Sequence, residues 1–198
     1  MKGLITFCAA VLILAAGSAH ADMINFDSLT NHELVDNQYI LELGAGFNGS
    51  ARISAFPGSL YPFHSSPNVI ENFNLDYKRG DIKIDAVGTK WLMAGGYVTG
   101  SAEVILTAYD SSNTKLVNLS VPYSTGGANL GSNMFLQFMA ANIDYVIFSL
   151  EIAEDEDYND NDIFTVDDFT FNPVPVPAAV LLGMLGLSVA GLKLRKFV

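Results

Sequence analysis

Apolar and polar residues alternate with a period of two along much of the central chain. "EVILTAY" (103–109) is the clearest stretch, with Val104, Leu106 and Ala108 on one face and Ile105, Thr107 and Tyr109 on the other. "YILEL" (39–43), "DIKIDA" (81–86), "KLVNLSV" (115–121), "YVIFSLEI" (145–152) and "IFTVDDFTF" (163–171) are similarly short and rich in β-branched and aromatic residues. Turn clusters separate them: "GAGFNGS", "FPGSLYPFHSSP", "YDSSNTK", "STGGANLGSN" and "EDEDYNDND". The "DSSN" at 110–113 is placed to fold two of these runs into a hairpin, with Asp110 and Asn113 as turn formers. No window keeps a 3.6-residue apolar period with caps at both ends. Strands at roughly ten-residue spacing predict an all-β, antiparallel β-sandwich, jelly-roll-like, over residues 22–172. Its expected core includes Val104, Leu106, Leu116, Val146, Phe148 and Phe169.

Both ends break this pattern. Residues 1–21 carry Lys2, an apolar run from Leu4 to Ala16, and Ala19-His20-Ala21. Charged start, apolar centre and A-x-A site predict a secretory signal helix cleaved after Ala21. At the other end, 173–198, prolines at 173, 175 and 177 forbid helix and favour an extended spacer. From Ala178 to Leu192 only Ser188 is polar, which predicts a transmembrane helix of roughly 22 Å, short against a hydrocarbon core of ~30 Å. Lys193, Arg195 and Lys196 follow at once and would stay on the cytoplasmic side, with the β domain outside.

Charge and cysteine content narrow the field. The segment between the two ends holds all 21 acidic residues and six basic ones, a net charge of −15. Such a surface repels nucleic acid, so no nucleic-acid partner is expected. The single cysteine, Cys8, lies in the leader. The mature chain therefore has no disulfide and no thiol nucleophile, and its stability must come from its core.

The tail resembles a known class. Its order of proline spacer, short apolar helix and basic tip, headed by Val174-Pro175-Val176-Pro177-Ala178-Ala179, resembles the sorting signals of exosortase-processed bacterial proteins, the PEP-CTERM class, in their VPxPA-type form. The resemblance covers Val174–Val198, with Val-Pro-Val-Pro where the main form has Pro-Glu-Pro. It implies a sorting motif at Val174, Pro175, Val176, Pro177 and Ala178, a transient membrane anchor, and an exosortase-like peptidase as partner. It also implies delivery to the Gram-negative cell surface or an exopolysaccharide or biofilm matrix. "INFDSL", "LTAYDSSNTKL", "ANIDYVIFS" and "FTVDDFTF" stand in the order found in domains common in that class, which supports architecture more than function.

Two kinds of residue suggest chemistry. "EDEDYNDNDIFTVDD" (154–168) crowds carboxylates and amides into one loop before the last strand, and hard cations take many oxygen ligands. Asp157, Asn159, Asn161 and Asp168 are the ligand candidates there, although an EF-hand is excluded by Asp162 at the required glycine. A second arrangement clamps calcium between Asp27 and either Asp167 or Asp168, which alternation puts on opposite faces. The alternative is a solvated acidic loop. The long loop "FPGSLYPFHSSP" offers Tyr61 and Phe63, joined by Trp91, as a ligand rim for polysaccharide, against the alternative that strand aromatics are core. Catalytic signatures are missing: His32 and His64 have no metal-ligand spacing, and no G-x-S-x-G occurs. The sequence thus points to a non-catalytic exported surface or matrix protein, calcium-stabilised and polysaccharide-binding. A carbohydrate-active enzyme on a lectin-like sandwich and a purely structural surface protein stand as alternatives.

Overall fold

Eleven strands and one helical turn account for the regular structure of the described residues. The computed structural model of the chain describes residues 20–49, 51–55, 61–62, 64–73, 79–121, 133–151 and 163–174. In chain order they are β1 (Asp22–Ile24), α1 (Ile40–Leu43), β2 (Ala45–Gly49), β3 (Arg52–Ser54), β4 (Val69–Glu71), β5 (Ile82–Ala86), β6 (Trp91–Gly100), β7 (Val104–Tyr109), β8 (Lys115–Val121), β9 (Met134–Ile143), β10 (Tyr145–Leu150) and β11 (Phe164–Pro173). The expected signal helix and transmembrane helix lie almost wholly outside the described residues. No helix among the described residues is long and apolar enough to cross a membrane.

The strands form two antiparallel sheets. One runs β3-β4-β11-β6-β9, with β1 also paired to β11; the other runs β2-β5-β10-β7-β8. β6 lies along the whole of β11, so β4 and β1 share its opposite edge, at Thr165–Val166 and Phe169–Phe171 respectively. Inward residues of both sheets meet in one core, which is the arrangement of a β-sandwich. Phe169 joins the two layers. Its ring lies 6.3 Å from that of Phe47 on β2 and 6.2 Å from that of Phe148 on β10, and 5.7 Å from Trp91 of its own sheet.

Alternation reads most of β7: Val104, Leu106 and Ala108 are buried in the core and Ile105 and Tyr109 are partly exposed, while Thr107, expected on their face, is buried. The Asp110 hairpin forms as expected. The Asp110 carboxylate accepts the amides of Ser112 and Thr114, both at 2.9 Å, and Asn113 takes the left-handed conformation at φ 60°. Of the expected core, only Leu116 is half-buried, packed against the cluster.

Three expectations are corrected. "YILEL" is not a strand but the single turn α1. Gly44, at φ 70°, ends it by donating its N–H to the Ile40 carbonyl, and Leu41 is 96 % exposed. A short apolar run does not distinguish helix from strand, and the glycine decides. "AGFNG", grouped with turns, is β2. Two of the three ten-residue strands, β6 and β9, were not expected at all. The paired glycines at 95 and 96 in β6 sit where strands approach closely. A Cβ on Gly95 would lie 2.4 Å from the Leu136 carbonyl oxygen, and one on Gly96 3.2 Å from Val166 Cγ1.

Candidate functional site

β11 carries two acids in the middle of an apolar strand, and this conflict shapes the outer face of its sheet. Phe164, Val166, Phe169 and Phe171 all point into the core. Strict alternation cannot place Val166 and Phe169 on one side, because they are three residues apart. The strand solves this with a bulge: Asp167 pairs with Tyr97 and Thr170 with Gly95, so β11 spends one residue more than β6, and Asp168 takes φ 47°. Asp167 and Asp168 therefore do not take opposite faces, as alternation suggested. Both carboxylates meet the same hydroxyl, with Ser65 Oγ 3.1 Å from Asp167 Oδ1 and 2.9 Å from Asp168 Oδ1.

That pair anchors a loop across the outer face. Asp167 Oδ2 accepts the backbone amides of His64 at 2.8 Å and Ser65 at 2.7 Å, and Asp167 Oδ1 accepts the amide of Asp168. His64 Nδ1 lies 2.6 Å from Asp168 Oδ2, where its N–H donates to the carboxylate. The loop covers Asp167, leaving it 2 % exposed. Burial pushes the Asp167 carboxyl above its ordinary value of 3.8; the Ser65 amide pulls it back, and the neighbouring charge of Asp168 adds to the rise. Asn68 closes the loop by donating from its side-chain amide to the Leu29 carbonyl at 2.8 Å.

The anchored loop divides the outer face into two parts. On one side is a groove of about 320 Å³ over β3, β4 and the start of β11, lined by His32, Arg52, Ser54, Tyr61, Val69, Glu71, Ile163 and Thr165. Arg52 and Glu71, cross-strand neighbours, bond through Nε at 3.2 Å and Nη2 at 2.7 Å, and the guanidinium lies 4.1 Å from the Phe73 ring centroid. On the other side is an aromatic ledge. The His64 imidazole lies parallel to the Tyr97 ring at 3.3 Å, and Tyr97 lies 4.8 Å from Phe135 on β9, which is 46 % exposed. Donors, acceptors and ring faces thus share one surface.

The predicted site residues separate accordingly. Tyr61 lines the groove. Phe63 lies outside the described residues. Trp91 is corrected: it is 0 % exposed, packed on Phe171 at 4.7 Å, and belongs to the core. Its position begins β6 with the side chain inward, so it cannot form a rim. Of the calcium candidates, Asp157, Asn159 and Asn161 lie outside the described residues. Asp27 accepts the Asn68 amide at 3.3 Å, and Asp168 serves His64 and Ser65. Among the described residues no three His, Cys, Asp or Glu side chains gather where they could hold a metal ion. Of the sorting motif only Val174 is described. Arg52, Glu71, Thr165 and the stacking of His64 on Tyr97 were missed. The available signal was the Asp-Asp pair within an apolar strand, an arrangement that needs partners for both carboxylates.

No protein-family model matches the chain, and no curated protein matches it. Among solved structures, a DUF4465 family protein from Bacteroides caccae is similar at 11 % identity and TM-score 0.52, covering 78 % of this chain and 100 % of that one. A family 29 carbohydrate binding module from Piromyces equi, CBM29_1, aligns at 12 % identity and TM-score 0.42, covering 79 % and 92 %. The arabinose-bound α-L-arabinofuranosidase MgGH51 aligns at 10 % identity and TM-score 0.45, covering 80 % of this chain and 27 % of that one. At these identities the likeness is one of fold, and it rests on the first structure.

Proposed function

We propose that the protein is an exported surface or matrix protein whose sandwich binds neutral polysaccharide on the outer face of the six-stranded sheet. One observation carries the reading: a loop pinned by Asp167 and Asp168 puts Tyr61 into a groove holding the Arg52–Glu71 pair and stacks His64 on Tyr97 beside it. Sugars present hydroxyls at their rims and C–H faces on their rings, and a site for them combines planar hydrogen-bonding side chains with aromatic surfaces. Neutral chains are favoured because the segment's net charge of −15 repels polyanions. The groove supports binding rather than glycoside cleavage. Glu71 is the one carboxylate among its described lining residues and is tied to Arg52, whereas glycosidases set two carboxyl groups across the scissile bond.

Affinity electrophoresis in gels of neutral and acidic soluble polysaccharides tests the reading. Retardation is expected in a neutral gel. Tyr61→Ala is expected to weaken it about tenfold, which corresponds to roughly 1.4 kcal/mol. Tyr109→Ala, on the outer face of the other sheet, is expected to leave it unchanged. Equal losses from both variants, or no retardation in any neutral gel, would remove the proposed face.

The tail reading belongs to the same proposal. The resemblance at 174–198 supports a temporary membrane anchor removed by an exosortase-like peptidase. Mass spectrometry of the protein released at the cell surface is expected to find a C-terminus near the proline motif. A released chain still ending at Val198 would refute processing.

A further inference from the structure

Five strands have a single partner strand among the described residues; one is β1, three residues beginning with Asp22, and the other four differ in one respect that bears on association. β3 has three residues and includes Arg52, β2 has five, and β8 has seven and begins with the exposed Lys115. β9, "MFLQFMAANI", has ten residues with no charge and no proline. Edge strands offer unpaired backbone groups, and charge, proline or short length normally guards them. β9 has no charge, proline or shortness to guard it, in a segment otherwise carrying −15, and its bulge, at residues 140–142, lies beyond the regularly paired stretch Met134–Met139. Two of its outward positions are large and apolar: Phe135 is exposed and Met139 is 78 % exposed.

The pattern along β9 selects the occupant. Phe135, Gln137 and Met139 alternate on the outer face, while Leu136 and Phe138 are buried. Antiparallel pairing of this strand with its own copy, centred on Gln137, sets Phe135 opposite Met139 of the second copy, and the reverse. Thioether sulfur packs well against an aromatic ring, and the two Gln137 side chains meet on the two-fold axis, amide to amide. Two bodies of like charge repel, so they associate best through a surface that carries none. We propose that β9 pairs with β9 of a second copy, joining the two six-stranded sheets into one continuous sheet and aligning their outer faces side by side.

Two measurements test this. Sedimentation velocity of the purified protein over about 1 to 100 μM is expected to show concentration-dependent dimers. The double variant Phe135→Lys and Met139→Lys, which sets like charges near the axis, is expected to raise the dissociation constant at least about tenfold. A monomer throughout the range, or a dimer indifferent to the double variant, overturns the proposal. The second measurement does not depend on that variant folding. In a Cys8→Ser background, Gln137→Cys places two thiols across the axis at a spacing close to that of directly opposed strand residues, which suits a disulfide. Mild oxidation is expected to give a covalent dimer on non-reducing gels, with several-fold less from Asn118→Cys on β8. Equal yields from the two positions mean random collision and overturn the pairing.

Discussion

Phe169→Ala is expected to cost about 3–5 kcal/mol of folding stability. The ring is fully buried between the two sheets, contacting Phe47 and Phe148 from one layer and Trp91 and Phe171 from its own. Truncation removes the apolar transfer term and leaves a cavity walled by four rigid rings. Those rings sit on different strands, so they cannot close the space without moving the sheets relative to each other. A loss of this size is a large share of the 5–15 kcal/mol that ordinarily holds a domain folded. Denaturant titration of the variant against wild type measures it. Leu41→Ala, on the exposed side of α1, is the reference and is expected to change stability by no more than about 0.5 kcal/mol. A Phe169→Ala loss below about 1 kcal/mol would show that the layers are held together elsewhere.

Asp167→Ala should cost about 3 kcal/mol, by a different mechanism. The carboxylate accepts the amides of His64, Ser65 and Asp168 and the Ser65 hydroxyl. Alanine leaves these donors without their partner in a site that the loop keeps from water. The loop should then detach, carrying His64 off Tyr97. Hydrogen exchange reads this directly: the amides of His64 and Ser65 are expected to lose protection in the variant, while those of β7 and β10 keep theirs. Unchanged protection at 64 and 65 would mean the loop is held by other contacts.

Asp167 also sets a sign for pH dependence. Burial raises its carboxyl in the folded protein, so the folded state holds the proton more tightly than the unfolded chain does. The stability it contributes is fully present below the ordinary value of 3.8 and is lost as pH rises through the higher folded value. Asp167→Asn cannot ionise and lacks this slope. The stability of wild type minus that of Asp167→Asn should therefore fall as pH rises above 3.8. A difference that grows with pH over that window would mean the Ser65 and His64 amides outweigh the burial.

The fold was largely legible where side chains alternate without interruption. β5, β7, β8 and β10 could be read because one face of each is apolar, and the hairpin at Asp110 because aspartate and asparagine favour that turn. β6 and β9 were hidden for two physical reasons. Glycine is disfavoured in an isolated strand, and only the neighbouring strand shows that a Cβ at Gly95 would collide with the Leu136 carbonyl. β9 carries Phe135 and Met139 on its outer face as well, so it lacks the polar rhythm that marks a half-buried strand. The groove was harder still. Arg52 and Glu71 stand far apart in sequence, in strands of three residues, and nothing local says that pairing will set them side by side.

The chain's own pattern determined its class: short alternating strands, punctuated by turn residues, with one apolar side each, have no stable solution except to pair into sheets and bury those sides together. It also placed the loop around Tyr61 as a region apart, since proline and glycine there prevent regular structure. Only the tertiary structure decided which aromatics face water. It put Trp91 in the core and Tyr61 in the groove, and made the two adjacent acids partners of one loop. The reason is that exposure and hydrogen bonding are properties of what packs against a residue. Those neighbours lie up to about a hundred positions away along the chain, as His64 does from Asp168.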